Sequence, residues 1–451
     1  MSGAVRWRAD VGVLGGGPAG VAAAVGLARL GWSVCLLSGG TRQAVEGASQ
    51  RVLESLRRQQ LERAAASFDV LGGRTRDWAG SRLANGHEYL VMRPRFDEAL
   101  LADAQAAGVE MLTARVENVQ AEAGGWAVTT RTDLHRFRAL VDARGRRLRA
   151  PAVRGPRLLA MTQAYELGAL PACTGVASAE SAWYWYACDG QGHGWITAVQ
   201  PAAGAGLSRR QATSLEPRCT SGRHSLQASL FEPTLLPPLV REVFGEARPG
   251  GPPRACAAGA FWREPAVEPG RVLAGDAMLA LDPLSGHGIY EALAAAPAVI
   301  AAANTYLSGD DWAPVRRFLA ERGAESWARK MQAAAGFYSD LAMTQASWQP
   351  TARGCERAGQ RDALPSAVMG IDWRPVLAGP RIELRRVLVT PSFPRGLWRH
   401  GDVELAALFD GMRSQGEDAD GLARRLGRAP ADVHNAVRWL AGHGVTMRSS
   451  M

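Results

Sequence analysis

The chain has 451 residues, 47% of them hydrophobic and 21% charged, with a formal net charge of +9. That length allows two or three domains, since single cores rarely grow past roughly 250 to 300 residues, and it excludes a small interaction module. The charge is spread rather than concentrated: nearly every basic residue is arginine, Lys330 is the only lysine, and no long basic run forms a nucleic-acid stripe. The six cysteines (Cys35, Cys173, Cys188, Cys219, Cys256, Cys355) include no C-x-x-C pair and no histidine at ligand spacing, so neither a disulfide framework nor a metal site is expected. No apolar run reaches about 18 residues, and MSGAVRWRAD leads straight into VGVLGGG rather than into a charged-then-apolar leader, so a cytoplasmic protein with no membrane span is expected.

Residues 10 to 40 alternate an apolar run, a glycine-rich turn, the helix VAAAVGLARLG and a second apolar run, SVCLLS, which is a β-turn-α-β unit of a parallel sheet. The turn Gly15-Gly16-Gly17-Pro18-Ala19-Gly20 fits G-x-G-x-x-G. Gly15 allows the tight turn, Gly17 lets the backbone approach a pyrophosphate, and Gly20 lets the helix pack closely, while the helix start through Ala19 offers its amides to the phosphates. The acid that usually holds the adenosine ribose is replaced near Ser38, which leaves that contact to Ser38, Gly39 or Arg42.

Residues 43 to 66 look helical, and Phe96 to Ala107 form an amphipathic helix leading into the strands VEMLTARVENV and GWAVTTRT. VDARG, 141 to 145, is a short strand ending in a glycine turn. From Gly155 to about Trp262 the pattern turns β-rich, and AWYWYACDGQGHGWITAV reads as a hairpin around Asp189-Gly190. Its Trp183, Trp185 and Trp195 are candidates for a substrate-pocket wall, with the core of an inserted sheet an equal alternative. RVLAG, 271 to 275, returns to the first domain; 312 to 350 is helical and 351 to 398 irregular and proline-bearing. The last 50 residues hold three short helical patterns. The expected fold is therefore α/β. A Rossmann-like domain (1–154 and 266–350) carries an inserted β-rich substrate domain (155–265), and a C-terminal region (351–451) ends in a small helical, winged-helix-like module.

The stretch LAGDAMLALDPLSGHGIYEAL places two acids, a proline and Gly-His-Gly just before a helix. That helix, starting near Gly288, is nearly uncharged and must be buried, so its N-terminal dipole points at something that needs negative charge stabilised. Asp276 and Asp282 also suit turn capping, and His287 suits a structural hydrogen bond.

Three ordered motifs, GGGPAG at 15 to 20, RPRFDEALLADAQAAG with VDARG between 93 and 145, and GDAMLALDPLSGHGI at 275 to 289, resemble those of the para-hydroxybenzoate hydroxylase-type FAD monooxygenases. The resemblance implies that Asp276, after Gly275, binds a ribityl or ribose hydroxyl of FAD and that Arg93 lies near the polar edge of the flavin. It places Asp282 and Pro283 beside the ring where oxygen reacts, and turns the amides from Gly286 through Gly288 to Ile289 toward flavin N1 and O2. His287 is a candidate proton shuttle. Within that superfamily the chain resembles the tryptophan-halogenase-like branch, yet Trp183-x-Trp185 is followed by Ala187-Cys188 where W-x-W-x-I-P is expected, and no lysine precedes Lys330.

Halogenation is thereby disfavoured, and the resemblance implies hydroxylation through a flavin C4a-hydroperoxide with NAD(P)H as transient reductant. The family it resembles is the flavoprotein monooxygenase that matures quinohemoprotein amine dehydrogenase, whose substrate is a tryptophan in a quinoprotein subunit precursor. The alternatives are a small-molecule flavin oxygenase, halogenase-like or geranylgeranyl-reductase-like, and a flavin-dependent DNA-binding regulator. The last rests on DGLARRLGRAPADVHNAVRWLAGHGV, where Pro430 opens a second helix; its few cations argue against nucleic acid and for a docking module.

Overall fold

A computed structural model describes residues 7–202, 229–265, 268–361, 369–413 and 418–445. The strand Ala9–Leu14 lies at the centre of a seven-stranded sheet, flanked in parallel by Val34–Ser38 and Leu134–Asp142. Its run is apolar because helices or strands cover both faces: Val11, Val13 and Leu14 are fully buried. Glu110–Thr113 extends one side, and Arg271–Leu273 adds to Leu134–Asp142 in parallel, so the chain returns to this sheet as expected. The helices Pro18–Arg29 and Gly288–Leu307 share the core on one face, with Val21, Val25, Leu293 and Val299 buried between them.

The second sheet has nine strands and does not respect the boundary expected at residue 154. Val45–Ala48, Val70–Trp78 and Ser81–Met92 join it, through a parallel pairing of Val70–Trp78 with Cys173–Ser178. Residues 43 to 66 are accordingly a strand followed by the helices Gln50–Arg58 and Glu62–Ala66, not a continuous helix. Trp183–Cys188 and His193–Pro201 form the expected hairpin, with Gly190 and Gly192 in its turn at positive φ. The aromatic run of its first strand follows from burial on both faces. Trp183 packs toward the helix Trp312–Thr344 with Trp327 and Tyr338, while Tyr184 and Tyr186 pack toward Pro238–Phe244 with Val240 and Phe244.

Residues 351 to 398 are not irregular. They finish the helix Gln349–Arg361 and, among the described residues, form the three-stranded sheet Gly370–Ala378, Arg381–Thr390 and Phe393–Leu397. Pro375 is accommodated because Gly370–Ala378 is an edge strand, where a missing N–H breaks no inner ladder. The helices Leu405–Arg413, Ala419–Leu426 and Pro430–Gly442 then build a separate small core around Leu388, Leu408, Leu422 and Val433. No helix among the described residues is long and apolar enough to cross a membrane.

Candidate functional site

The two glycine-bearing motifs meet in space. Gly15 has φ +120, and a Cβ at Gly20 would stand 1.9 Å from the Gly15 carbonyl oxygen, so the helix start sits directly on the turn. Gly275, with φ +56, also comes close: its Cβ would be 2.7 Å from the Ala19 Cβ. Around this junction, Gly17, Gly286 and Gly288 face open space, with nothing within 4 Å of where a Cβ would be. The first amides of Gly288–Leu307 have no carbonyl inside the helix to bond, the ladder beginning with Glu291 N–H to His287 O at 2.9 Å. Bare glycine backbone and a helix N-terminus offer N–H donors, and the Asp276 carboxylate an acceptor, of the kinds that fit the phosphates, carbonyls and hydroxyls of FAD.

Ser38, Arg42 and Arg93 each have defined polar partners. Ser38 is buried at the end of its strand, and its hydroxyl accepts the Gly40 N–H at 3.4 Å. Arg93 opens the helix Arg93–Ala106 and is buried; it donates to Asp97 Oδ1 at 3.0 and 2.7 Å and to Glu46 at 2.8 Å. Arg42 reaches Glu46 at 3.4 Å, while its backbone N–H donates to Asp97. Burial works to raise the Glu46 carboxyl, but Arg93 and then Arg42 hold it below its usual range. Arg146 stands 3.3 Å from Asp276 and ties this group to the second motif.

Asp282 sits deeper. It is buried and caps the short turn Pro283–Ser285 by accepting the Leu284 N–H at 3.0 Å, while the Tyr338 hydroxyl donates to it at 3.0 Å. Burial pushes its carboxyl up to about 6, against the opposing pull of those two donors and Arg146. Trp183 donates its indole N–H to the Tyr338 oxygen at 3.4 Å, and Tyr338 stacks on Trp348 with centroids 5.3 Å apart. A continuous chain from Trp183 through Tyr338 to Asp282 therefore joins the aromatic strand to the Pro283 loop.

His287 precedes the long helix, half-buried, with its ring edge-on to Tyr290. Burial and then Lys330 lower its pKa, so it is neutral at pH 7. The single lysine is ion-paired to Glu291, one turn into the same helix.

The three candidate pocket tryptophans lie on one face of the sheet but not at one place. Trp183 is in the core beside Tyr338, Trp185 donates to Glu88 at 3.4 Å, and the partly exposed Trp195 stacks loosely with His193. Tyr338 and Arg146 escaped the sequence reading. Tyr338 sits in an ordinary amphipathic run and Arg146 in a string of arginines, and neither carries a local signal.

No family model and no curated protein matches the chain. Among solved structures it is similar to the flavin-dependent halogenase CmlS, at 19% identity with a TM-score of 0.71 over 98% of this chain and 96% of that one. It is also similar to aklavinone-11 hydroxylase, solved with FAD and aklavinone, at 16% identity with a TM-score of 0.57 over 73% of this chain and 69% of that one. The fold is that of the flavin-dependent hydroxylases and halogenases. Within that class the chain is similar to the peptidyl tryptophan dihydroxylase QhpG, essential for tryptophylquinone cofactor biogenesis. Identity there is 29%, with a TM-score of 0.80 over 97% of this chain and 100% of that one. The resemblance carried by three short motifs thus extends to the whole fold.

Proposed function

We propose that the chain is an FAD-dependent monooxygenase that hydroxylates, once or twice, a tryptophan residue of a partner protein, a quinoprotein subunit precursor, during tryptophylquinone biogenesis. The observation that carries this reading is the likeness to a peptidyl tryptophan dihydroxylase across both full chains, C-terminal module included. FAD, reduced by NAD(P)H as a transient donor, supplies the activation of O2 and the electrophilic oxygen.

The chain supplies position, charge and proton handling. Gly15, Gly17, Ala19 and Gly20 with Gly275 and Asp276 hold the dinucleotide, Ser38 and Arg42 close its adenosine side, and Arg93 lies near the polar edge of the flavin. The amides of Gly286, Gly288 and Ile289 stabilise negative charge on the ring at the helix N-terminus. Pro283 and the stacked pair Tyr338 and Trp348 keep water from the reacting edge. An indole is already a nucleophile, so no base is needed for attack, but the attacked C–H must afterwards lose its proton. Asp282 is the group suited to take it, since a carboxyl near 6 is ionised at neutral pH and still accepts a proton readily. His287, neutral and closer to solvent, is a route for that proton outward.

Coexpression with the precursor subunit, followed by mass spectrometry, tests the reading. One tryptophan gaining one or two oxygens supports it. If no tryptophan gains oxygen while free indoles are turned over, the substrate is a small molecule.

A further inference from the structure

The strand Ser81–Met92 stands next to last in the nine-stranded sheet, and only part of its outer side is covered. Val45–Ala48 pairs with residues 89–92, and among the described residues no strand pairs with the outer edge of 81–87. Ser81, Arg82, Leu83, Ala84, Gly86 and His87 are all exposed, so that edge turns unpaired N–H and C=O groups to solvent over roughly 23 Å. Folded proteins blunt such an edge with lysine, proline or a covering element, and 81–87 has none of these. Its one full charge, Arg82, is paired with Glu242 at 2.6 Å.

The side chains along the edge are those of a binding surface. Leu83 stands opposite Arg76 and Ser81 opposite Trp78, so these four share one face of the sheet. Phe337, on the helix Trp312–Thr344, meets Trp78 edge-on with ring centroids 6.4 Å apart, yet Phe337 is 44% exposed and Leu83, beyond it, 50%. Arg76 and Arg74 each have a buried Nε with no hydrogen-bond partner among the described residues, and the Arg74 head is 3.8 Å from Glu88. Apolar side chains flanked by two incompletely paired guanidinium groups fit a segment that carries both apolar and acidic residues.

The edge runs toward the flavin site. A strand added along 81–87 would lie in line with Val45–Ala48, which borders the same side of Ser81–Met92. From Ala48 the chain turns through Ser49 into the helix Gln50–Arg58, where Tyr89 donates to Gln50 at 3.1 Å and Arg51 is near enough to His287 for its charge to act on that ring. Gln59, just past this helix, donates to the Leu293 carbonyl at 3.2 Å. One end of an added strand therefore points toward the start of the helix Gly288–Leu307.

We propose that an extended segment of the partner protein, bearing apolar and acidic residues, adds as an extra strand along 81–87 and so brings its tryptophan to the flavin side of the molecule. Main-chain pairing supplies affinity, while Leu83, Phe337 and Arg76 select the segment's side chains. The choice of partner rests on the protein-substrate reading; the unpaired edge stands without it.

Hydrogen-exchange mass spectrometry of the FAD-containing protein, alone and with the precursor subunit, tests this, with oxygen gain by the precursor recorded in the same preparation. Amides within 81–87 should exchange fast in the free protein and at least tenfold slower in the complex. The double variant Arg76→Glu, Leu83→Glu should weaken precursor binding tenfold or more with FAD retained. Leu83→Glu alone, at an exposed position that disturbs no core, should weaken it several-fold, and Arg76→Lys should keep most of the affinity. Protection confined to the C-terminal helices, or binding indifferent to these variants, overturns the edge while oxygen gain by the precursor leaves the monooxygenase reading standing. A precursor that neither binds nor gains oxygen, beside turnover of free indoles, refutes the protein-substrate reading and the proposal with it. Slow exchange at 81–87 in the free protein, together with a dimer in sedimentation, assigns the edge to a second copy of the chain and also overturns the proposal.

Discussion

At the scale of single residues, Asp276 and Asp282 stand six positions apart in one motif and differ because of their surroundings. Asp276 is part-exposed beside Arg146; Asp282 is buried, with Tyr338. Asp276→Ala should strip FAD from the purified protein, read as loss of flavin absorbance; tight flavin in that variant would show the second motif is misassigned. For Asp282 the folded carboxyl at about 6 lies above its ordinary value of 3.8, so its ionisation opposes folding. Stability from this group is full below pH 4 and lost as pH rises through about 6, a difference of up to roughly 3 kcal/mol. Asp282→Asn should therefore flatten the fall in Tm between pH 4 and 7. It should also abolish an activity limb that in the native enzyme rises through pH 6. Tyr338→Phe removes a donor that lowers the carboxyl pKa, so the same limb should move to higher pH; an unmoved limb would sever Asp282 from the proton step.

At the scale of elements, the cradle depends on how closely the helix Pro18–Arg29 approaches the turn at Gly275. An alanine at 275 would need φ +56 and would place its methyl 2.7 Å from the Ala19 Cβ. Gly275→Ala should cost about 1 to 3 kcal/mol in denaturant unfolding and weaken FAD by tenfold or more, both from one displacement. Normal flavin affinity with lowered stability would mean that the junction is structural only. The Rossmann turn, the helix at Gly288 and the hairpin at Asp189-Gly190 were legible in sequence, because each is written in contiguous residues with a glycine where the chain needs one. The hairpin Gly370–Ala378 with Arg381–Thr390 was not legible, because Pro375 hides an edge strand and the strand's partner is known only once the turn forms.

At the scale of the whole molecule, the C-terminal hairpin is not a loose appendage. The Ile382 N–H donates to Thr305 at 2.8 Å, Asn304 donates to the Pro380 carbonyl at 2.8 Å, and the Ile382 side chain is 3% exposed in the same core as Leu293. The hairpin is thereby fastened to the C-terminal end of the helix Gly288–Leu307. Ile382→Ala should destabilise the protein by about 2 to 5 kcal/mol, and flavin release should share the midpoint of helix loss in a denaturant titration. Separate midpoints would show that the hairpin and the dinucleotide domain unfold as independent bodies.

The sequence by itself determined the dinucleotide turn, the buried helix after Gly288, the weak case for a halogenase and the tryptophan-rich strand, since each depends on residue type and local spacing. Only the tertiary structure decided that residues 45 to 92 share a sheet with 158 to 257 and that Tyr338 links Trp183 to Asp282. Those are contacts between residues far apart in the chain. Their energies come from burial and pairing across the folded core, where neighbours in sequence carry no trace of them.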